Sequence, residues 1–217
     1  MKGATLNVAE LSLLFLVVFA IGEVAYRVFK VNSEYTRKWS HIASGILSLT
    51  FPYFLETWQM VGAICLLFTI ILVLSKHYKF LPSINSVNRK TYGSFLFPLA
   101  VFISYLSMVV FIQPVCFFLP VLILAICDLL AAIVGKRWPI IKIKFNKESK
   151  SLGGYLAFVF SAILILTVFV YLKLLNFSPL LFSLPLFWAF VELISPKGTD
   201  NISIPIAVIL GLFLTGV

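Results

Sequence analysis

Apolar residues run through this chain in long unbroken stretches, not in the alternating or one-sided patterns of soluble strands and helices. Eight stretches stand out, at residues 6–29, 39–55, 58–74, 94–111, 114–134, 152–175, 180–194 and 202–215. An α-helix needs roughly 20 apolar residues to cross the hydrocarbon core of a bilayer, and a chain in lipid must satisfy its backbone polar groups internally. The pattern therefore predicts an all-α, polytopic transmembrane protein with eight spans, or seven if the short last stretch does not cross. The first stretch is too long for a signal peptide and lacks a small-residue cleavage site. The whole chain, residues 1–217, reads as one integral membrane domain. One segment departs from the pattern: Ile141-Lys142-Ile143-Lys144-Phe145 alternates with period two. That predicts a short interfacial strand or hairpin, with Ile141, Ile143 and Phe145 turned towards lipid or protein.

Charge gives the helices an orientation. Only 12% of residues are charged, against 61% hydrophobic. Fifteen of the 17 Lys and Arg residues fall in four alternate connections. These carry Arg27, Lys30, Arg37 and Lys38; then Lys76, Lys79, Arg89 and Lys90; then Lys136 to Lys150; and finally Lys197. The positive-inside bias places these connections in the cytosol and both termini outside. It also accounts for the net charge of +9, so no nucleic-acid partner is expected. The outer connections are short and bland, which puts any chemistry on the cytosolic side. Trp39, Trp58, Trp138 and Trp188 fall near the expected interfaces and read as an aromatic belt. Pro98, Pro120, Pro185 and Pro205 read as kinks. Cys65, Cys116 and Cys127 lie in apolar runs without metal-ligand spacing and read as small buried hydrophobes.

Four clusters carry candidate chemistry. Asp128 lies about two helical turns inside the cytosolic end of the fifth span, roughly 10 Å below the loop. A carboxylate at membrane depth costs about 2.5–3.5 kcal/mol on insertion scales, so it reads either as a structural ion-pair partner or as a metal ligand or base at the floor of a pocket. Lys147-Glu148-Ser149-Lys150-Ser151-Leu152-Gly153-Gly154 opens the sixth span, and a helix start rich in Ser and Gly can bind an anion through its free N–H groups. Glu192, Asp200 and Asn201 flank the last cytosolic connection and offer the hard oxygens that Mg²⁺ prefers; Asp200-Asn201 fits a helix N-cap equally well. Arg37, Lys38 and His41 share one helix face if the helix has begun by residue 37, and Arg89-Lys90 could join the same basin. Glu23 could pair with Arg27 or with this group. Cations for phosphates, carboxylates for a divalent ion and a polar floor at headgroup depth together describe phosphoryl transfer, which rests on positioning and charge neutralisation.

Several stretches, in this order, resemble the CTP-dependent lipid kinases, a family that includes dolichol, phytol and farnesol kinases and the yeast-type diacylglycerol kinase, and that is related to the phosphatidate cytidylyltransferases. They are Arg37-Lys38-Trp39-Ser40-His41-Ile42, Tyr92-Gly93 with Phe97-Pro98, Asp128-Leu129-Leu130-Ala131-Ala132-Ile133-Val134-Gly135-Lys136-Arg137, Lys150-Ser151-Leu152-Gly153-Gly154, and Glu192 with Gly198-Thr199-Asp200-Asn201. The resemblance implies transfer of the γ-phosphate of CTP, with Mg²⁺ or another divalent cation, to the hydroxyl of a membrane-dissolved alcohol. It implies Asp128 as the essential acid and Arg37 and Lys38 as the essential basic pair. It further implies a nucleotide site formed by His41, Gly135, Lys136, Arg137, Lys150, Ser151 and Gly154, and a metal site formed by Asp128, Glu192, Asp200 and Asn201. Three positions differ from the family pattern: Cys127 stands where Gly precedes the aspartate, Gly153 replaces a glutamate, and a Gly after the Lys/Arg pair is replaced around Trp138-Pro139.

Two other readings compete. A cytidylyltransferase would attack the α-phosphate of CTP and release pyrophosphate; the Asp200-Asn201 ending fits the kinase branch better. A transporter or lipid-binding scaffold would use membrane carboxylates along a path through the bilayer, but no internal repeat is visible and the polar groups gather on one side. The compact length leans towards a bacterial or archaeal plasma-membrane protein. Neither the acceptor alcohol nor the oligomeric state is written in the sequence.

Overall fold

The computed structural model describes residues 8–87, 91–145 and 148–216. Its elements are α1 (Val8–Arg27), α2 (Ser33–Ser48), α3 (Phe51–Phe54), α4 (Trp58–Tyr78), α5 (Pro82–Asn85) and α6 (Gly93–Phe111), then α7 (Val115–Leu122), α8 (Asp128–Arg137), β1 (Lys142–Phe145), β2 (Glu148–Ser151), α9 (Leu152–Tyr171), α10 (Pro179–Ile194) and α11 (Asp200–Leu214). A π-turn at Ile123–Cys127 joins α7 to α8 without a break. Among the described residues, five helices are long and apolar enough to cross a membrane: Val8–Arg27, Trp58–Tyr78, Gly93–Phe111, Val115–Arg137 and Leu152–Tyr171. Pro179–Ile194 and Asp200–Leu214 are shorter apolar helices. The chain is thus a helical membrane protein with one small hairpin.

The second expected stretch is corrected most. Its helix starts at Ser33, six residues before the apolar run, because the Asn32 side chain accepts the Glu34 N–H at 2.9 Å. It ends at Ser48, and α3 follows separately. Its buried face is made of small polar residues, among them Thr36, Ser40, Ser44 and Ser48, and it packs between α1, α5 and the π-turn. Elsewhere hydroxyls set several helix starts, while Pro98, Pro120, Pro185 and Pro205 lie inside helices. Thr57, Ser151 and Ser178 cap α4, α9 and α10 through side-chain oxygens, satisfying N–H groups that a helix start leaves without partners.

The four basic connections bond to one another, so they lie at one end of the bundle. Lys136 Nζ reaches Glu34 at 3.1 Å, the Tyr92 N–H donates to the Lys197 carbonyl at 2.8 Å, and Arg27 reaches the Phe80 carbonyl at 3.4 Å. Glu23 pairs with Arg27 and also accepts the Ser83 N–H. The alternating segment forms an antiparallel hairpin with Lys142 opposite Ser151 and Ile143 opposite Lys150; Ile141, just before it, is exposed. Trp39, Trp58 and Trp138 are exposed, as a belt requires, but Trp188 is fully buried. It donates from Nε1 to the Ala207 carbonyl at 3.1 Å and so ties α10 to α11. All three cysteines are free and buried.

α2 crosses the π-turn at close range. A Cβ added at Gly45 would stand 2.8 Å from Ala125 Cβ. Gly45→Val is therefore expected to destabilise the bundle by about 1–3 kcal/mol, the usual cost of overpacking, read as a lower melting temperature of the detergent-solubilised protein. An unchanged melting temperature would mean that α2 does not sit this close.

Candidate functional site

Four segments converge at the end of the bundle that carries the basic connections. Asp128 is the first residue of α8, Glu192 lies two residues before the end of α10, and Asp200 opens α11. One oxygen from each of these three carboxylates lies within 4.8 Å of the others. Lys150, on β2, places its Nζ 2.6 Å from Glu192 Oε1 and 3.5 Å from Asp200 Oδ2, and it also donates to the Glu192 backbone carbonyl. Burial opposes the charge on Lys150, but the facing carboxylates of Glu192 and Asp200, with Asp128 beyond, outweigh it and raise its pKa above the ordinary lysine value.

α2 supplies the opposite wall. Arg37, Lys38 and His41 all face the same chamber of about 180 Å³, together with Asp128, Lys150 and Asp200. Starting the helix at Ser33 is what brings these three onto one side, since residues three and four apart stack. Burial and the neighbouring Lys136 charge push the pKa of Lys38 below the usual lysine range, against the pull of Asp128 and Glu34. Glu34 was not singled out from the sequence as a site residue. It lines the chamber and sits 3.1 Å from Lys136 Nζ and 4.0 Å from Arg37. Its spacing from Arg37 was the available signal, since three residues is one helical turn.

The other candidates divide into those that face the chamber and those that build it. Gly135, Lys136, Ser151, Gly154, Glu192 and Asn201 all line it. Gly135 and Gly154 let α8 and α9 meet closely: a Cβ on Gly154 would stand 2.8 Å from the Ala131 carbonyl oxygen, and one on Gly135 would stand 2.8 Å from Ser151 Oγ. Ser151 Oγ accepts the Gly154 N–H at 3.1 Å and lies 3.2 Å from the Gly135 carbonyl, so this N–H of the expected anion site is already used by the cap. The Asn201 amide nitrogen donates to the Gly93 carbonyl at 2.6 Å, so as a metal ligand it has only its carbonyl oxygen to offer. Gly198, in the left-handed region at φ +82°, packs on Gly93 and completes the strap that holds the start of α11 against α6. Arg137 is the candidate that the fold does not bring in: it is exposed at the end of α8, turned away from its neighbour Lys136 by the 100° step of the helix. Arg89 and Lys90 lie outside the described residues.

The donor set suits a divalent cation. Three carboxylates gather around the one ammonium of Lys150, and their hard oxygens match the preference of Mg²⁺. Lys150→Met would leave Glu192 and Asp200 facing each other without their cation. The loss of one partner of a buried pair costs about 3–5 kcal/mol. The variant is expected to melt at lower temperature, and to recover more stability on Mg²⁺ addition than the parent protein does, since an ion that binds only the folded state stabilises it. A melting curve that neither falls nor responds to Mg²⁺ would show that Lys150 does not hold these carboxylates together.

Among proteins of known activity, a phytol kinase from Synechocystis sp. is 29% identical to this chain over 194 residues, which covers 87% of this chain and 82% of the relative. No protein-family model matches the chain, and no solved structure gives a significant match.

Proposed function

We propose that this protein is a membrane-embedded lipid kinase that transfers the γ-phosphate of CTP to the hydroxyl of a bilayer-dissolved alcohol at the cytosolic face. The observation that carries this reading is the convergence of Asp128, Glu192 and Asp200 within 4.8 Å in a chamber also lined by Arg37, Lys38 and Lys150. Carboxylates for a divalent cation, beside cations for phosphate oxygens, are the parts that phosphoryl transfer needs. The similarity to a phytol kinase supports a lipid alcohol as acceptor. The excess of Lys and Arg in the connections around the chamber supports its cytosolic location, with both termini outside.

In this reading Asp128, Glu192 and Asp200 hold Mg²⁺ or a similar ion, with the Asn201 carbonyl as a further oxygen. Such an ion, when bound, neutralises charge on the phosphate oxygens. Arg37, Lys38 and Lys136 hold the triphosphate from the α2 and α8 sides. Lys150 steadies Glu192 and Asp200 and lends a positive charge to the transferring group. The acceptor oxygen forms a bond to the γ-phosphorus, the bond from that phosphorus to the β–γ bridging oxygen breaks, and CDP leaves. The hydroxyl proton passes to a basic group lining the chamber.

Purified protein with γ-labelled CTP, Mg²⁺ and a panel of lipid alcohols should yield a labelled phospholipid and CDP, and a chelator should stop the reaction. Formation of a CDP-lipid with pyrophosphate would instead establish the cytidylyltransferase reading. Asp128→Asn should lower transfer by about a hundredfold or more, as loss of a preorganised charged group in an active site does. Full activity in that variant would remove Asp128 from the reaction.

A further inference from the structure

A second cavity, of about 60 Å³, lies between α1, α2, α4 and α6. It adjoins the carboxylate chamber, and Arg37, His41 and Asn201 line both. Away from that junction its wall is aromatic. Phe15 packs against Phe51 with ring centroids 5.7 Å apart and against Phe68 at 5.1 Å, and Phe19 packs against Phe68 at 5.6 Å. One strip of the wall is different: Ser40, Ser44 and Ser48 line it from a single face of α2, at four-residue spacing.

Serines buried in apolar helices normally return their hydroxyl to a carbonyl one turn earlier. Ser48, Ser75, Ser104 and Ser161 do so here. Ser40 and Ser44 do not, although they are only 5% and 4% exposed. Their hydroxyls have no hydrogen-bond partner among the described residues, and neither does the buried Nε2 of His41 beside them. Buried polar atoms without partners carry a desolvation penalty. Three of them on the wall of a greasy slot that adjoins a phosphate-type chamber call for one ligand: a hydroxyl on a hydrocarbon chain.

We propose that this cavity is the acceptor site, and that it takes a primary alcohol with one hydrocarbon chain, not diacylglycerol. The proposal rests on the kinase reading for the identity of the reaction, but the site itself stands on the geometry. The alcohol donates a hydrogen bond to His41 Nε2 and accepts from the Ser40 and Ser44 hydroxyls, whose Cα atoms are separated by about 6 Å along the helix. The chain runs past Cys65 to the Phe15, Phe51 and Phe68 rings. The restriction to one chain follows from size: the slot is only about 60 Å³, and its aromatic wall is already packed on itself. His41, which the sequence grouped with nucleotide contacts, becomes a positioning residue for the acceptor.

The test is photolabelling of the detergent-solubilised protein with a long-chain primary alcohol that carries a diazirine in mid-chain. Label is expected on the α1 peptide containing Phe15 and Phe19 and on the α4 peptide containing Cys65 and Phe68. Unlabelled single-chain alcohols should compete, and diacylglycerol should not. Ser44→Leu, and independently Cys65→Leu from the facing wall, should reduce labelling and raise the acceptor KM about tenfold, equivalent to uncovering roughly two methylene groups, with the KM for CTP unchanged. Label on other helices, equal competition by diacylglycerol, or labelling insensitive to both substitutions would overturn the proposal. Label confined to this slot, in a protein that phosphorylates no alcohol, would uphold the site and overturn the kinase reading instead.

Discussion

One ammonium group joins three distant parts of this chain. Lys150 Nζ, carried on a hairpin, contacts Glu192 near the end of α10 and Asp200 at the start of α11. These groups lie at the edge of a bundle whose other buried residues are apolar or carry neutral hydroxyl and amide groups. The desolvation of such charges is several kcal/mol per ion, and only close pairing with further hydrogen bonds offsets it. Lys150 meets that condition by also donating to the Glu192 backbone carbonyl. The arrangement fixes the hairpin over the chamber and draws the α10–α11 connection inward. It also holds two carboxylates near Asp128, which self-repulsion would otherwise drive apart. The chamber thus has its shape because an unmet charge inside apolar helices is costlier than the ordering of four segments.

Close backbone approach does the remaining positioning. A Cβ at Gly153 would stand 2.3 Å from the Trp138 carbonyl oxygen. The segment after α8 folds back so that the Trp138 carbonyl occupies the place from which a side chain at residue 153 would start. The glutamate that the resemblance leads one to expect at this position would not fit against that carbonyl. With Trp138 in this conformation, residue 153 must be glycine, and Glu192 and Asp200 are left to supply the carboxylates facing Asp128.

Much of the architecture was legible because hydrophobic length is a strong signal in a membrane protein: α1, α4, α6, α7 with α8, and α9 all coincide with long apolar runs. The bounds of α2 differ from the expected 39–55 because its start depends on an asparagine cap and the helix ends at Ser48, inside the apolar run. The hairpin was visible in the alternation of Ile and Lys. At the site, residue types identified Asp128, Glu192 and Asp200, while the Lys150 pairing that organises them spans 42 and 50 residues and leaves no local trace. Asn201, expected among the metal ligands, also donates from its amide nitrogen to the Gly93 carbonyl and so ties α11 to α6. Trp188 shows the limit of placing aromatics by sequence depth, since its indole N–H found a carbonyl inside the bundle.

The π-turn at Ile123–Cys127 directly precedes Asp128. Such a turn takes up one more residue than the α-helix it interrupts, and each residue of an α-helix advances the azimuth by 100°. The direction in which Asp128 projects is therefore set by a change of phase upstream, and a helical wheel drawn from Val115 would assign it to the wrong side. This makes the helix tolerant in one sense and brittle in another. Its apolar half can exchange one hydrophobe for another of similar volume, whereas a single-residue insertion or deletion between Pro114 and Cys127 rotates the carboxylate out of register with Glu192 and Asp200. For this segment, chain length between the outer turn and the aspartate is under tighter constraint than composition.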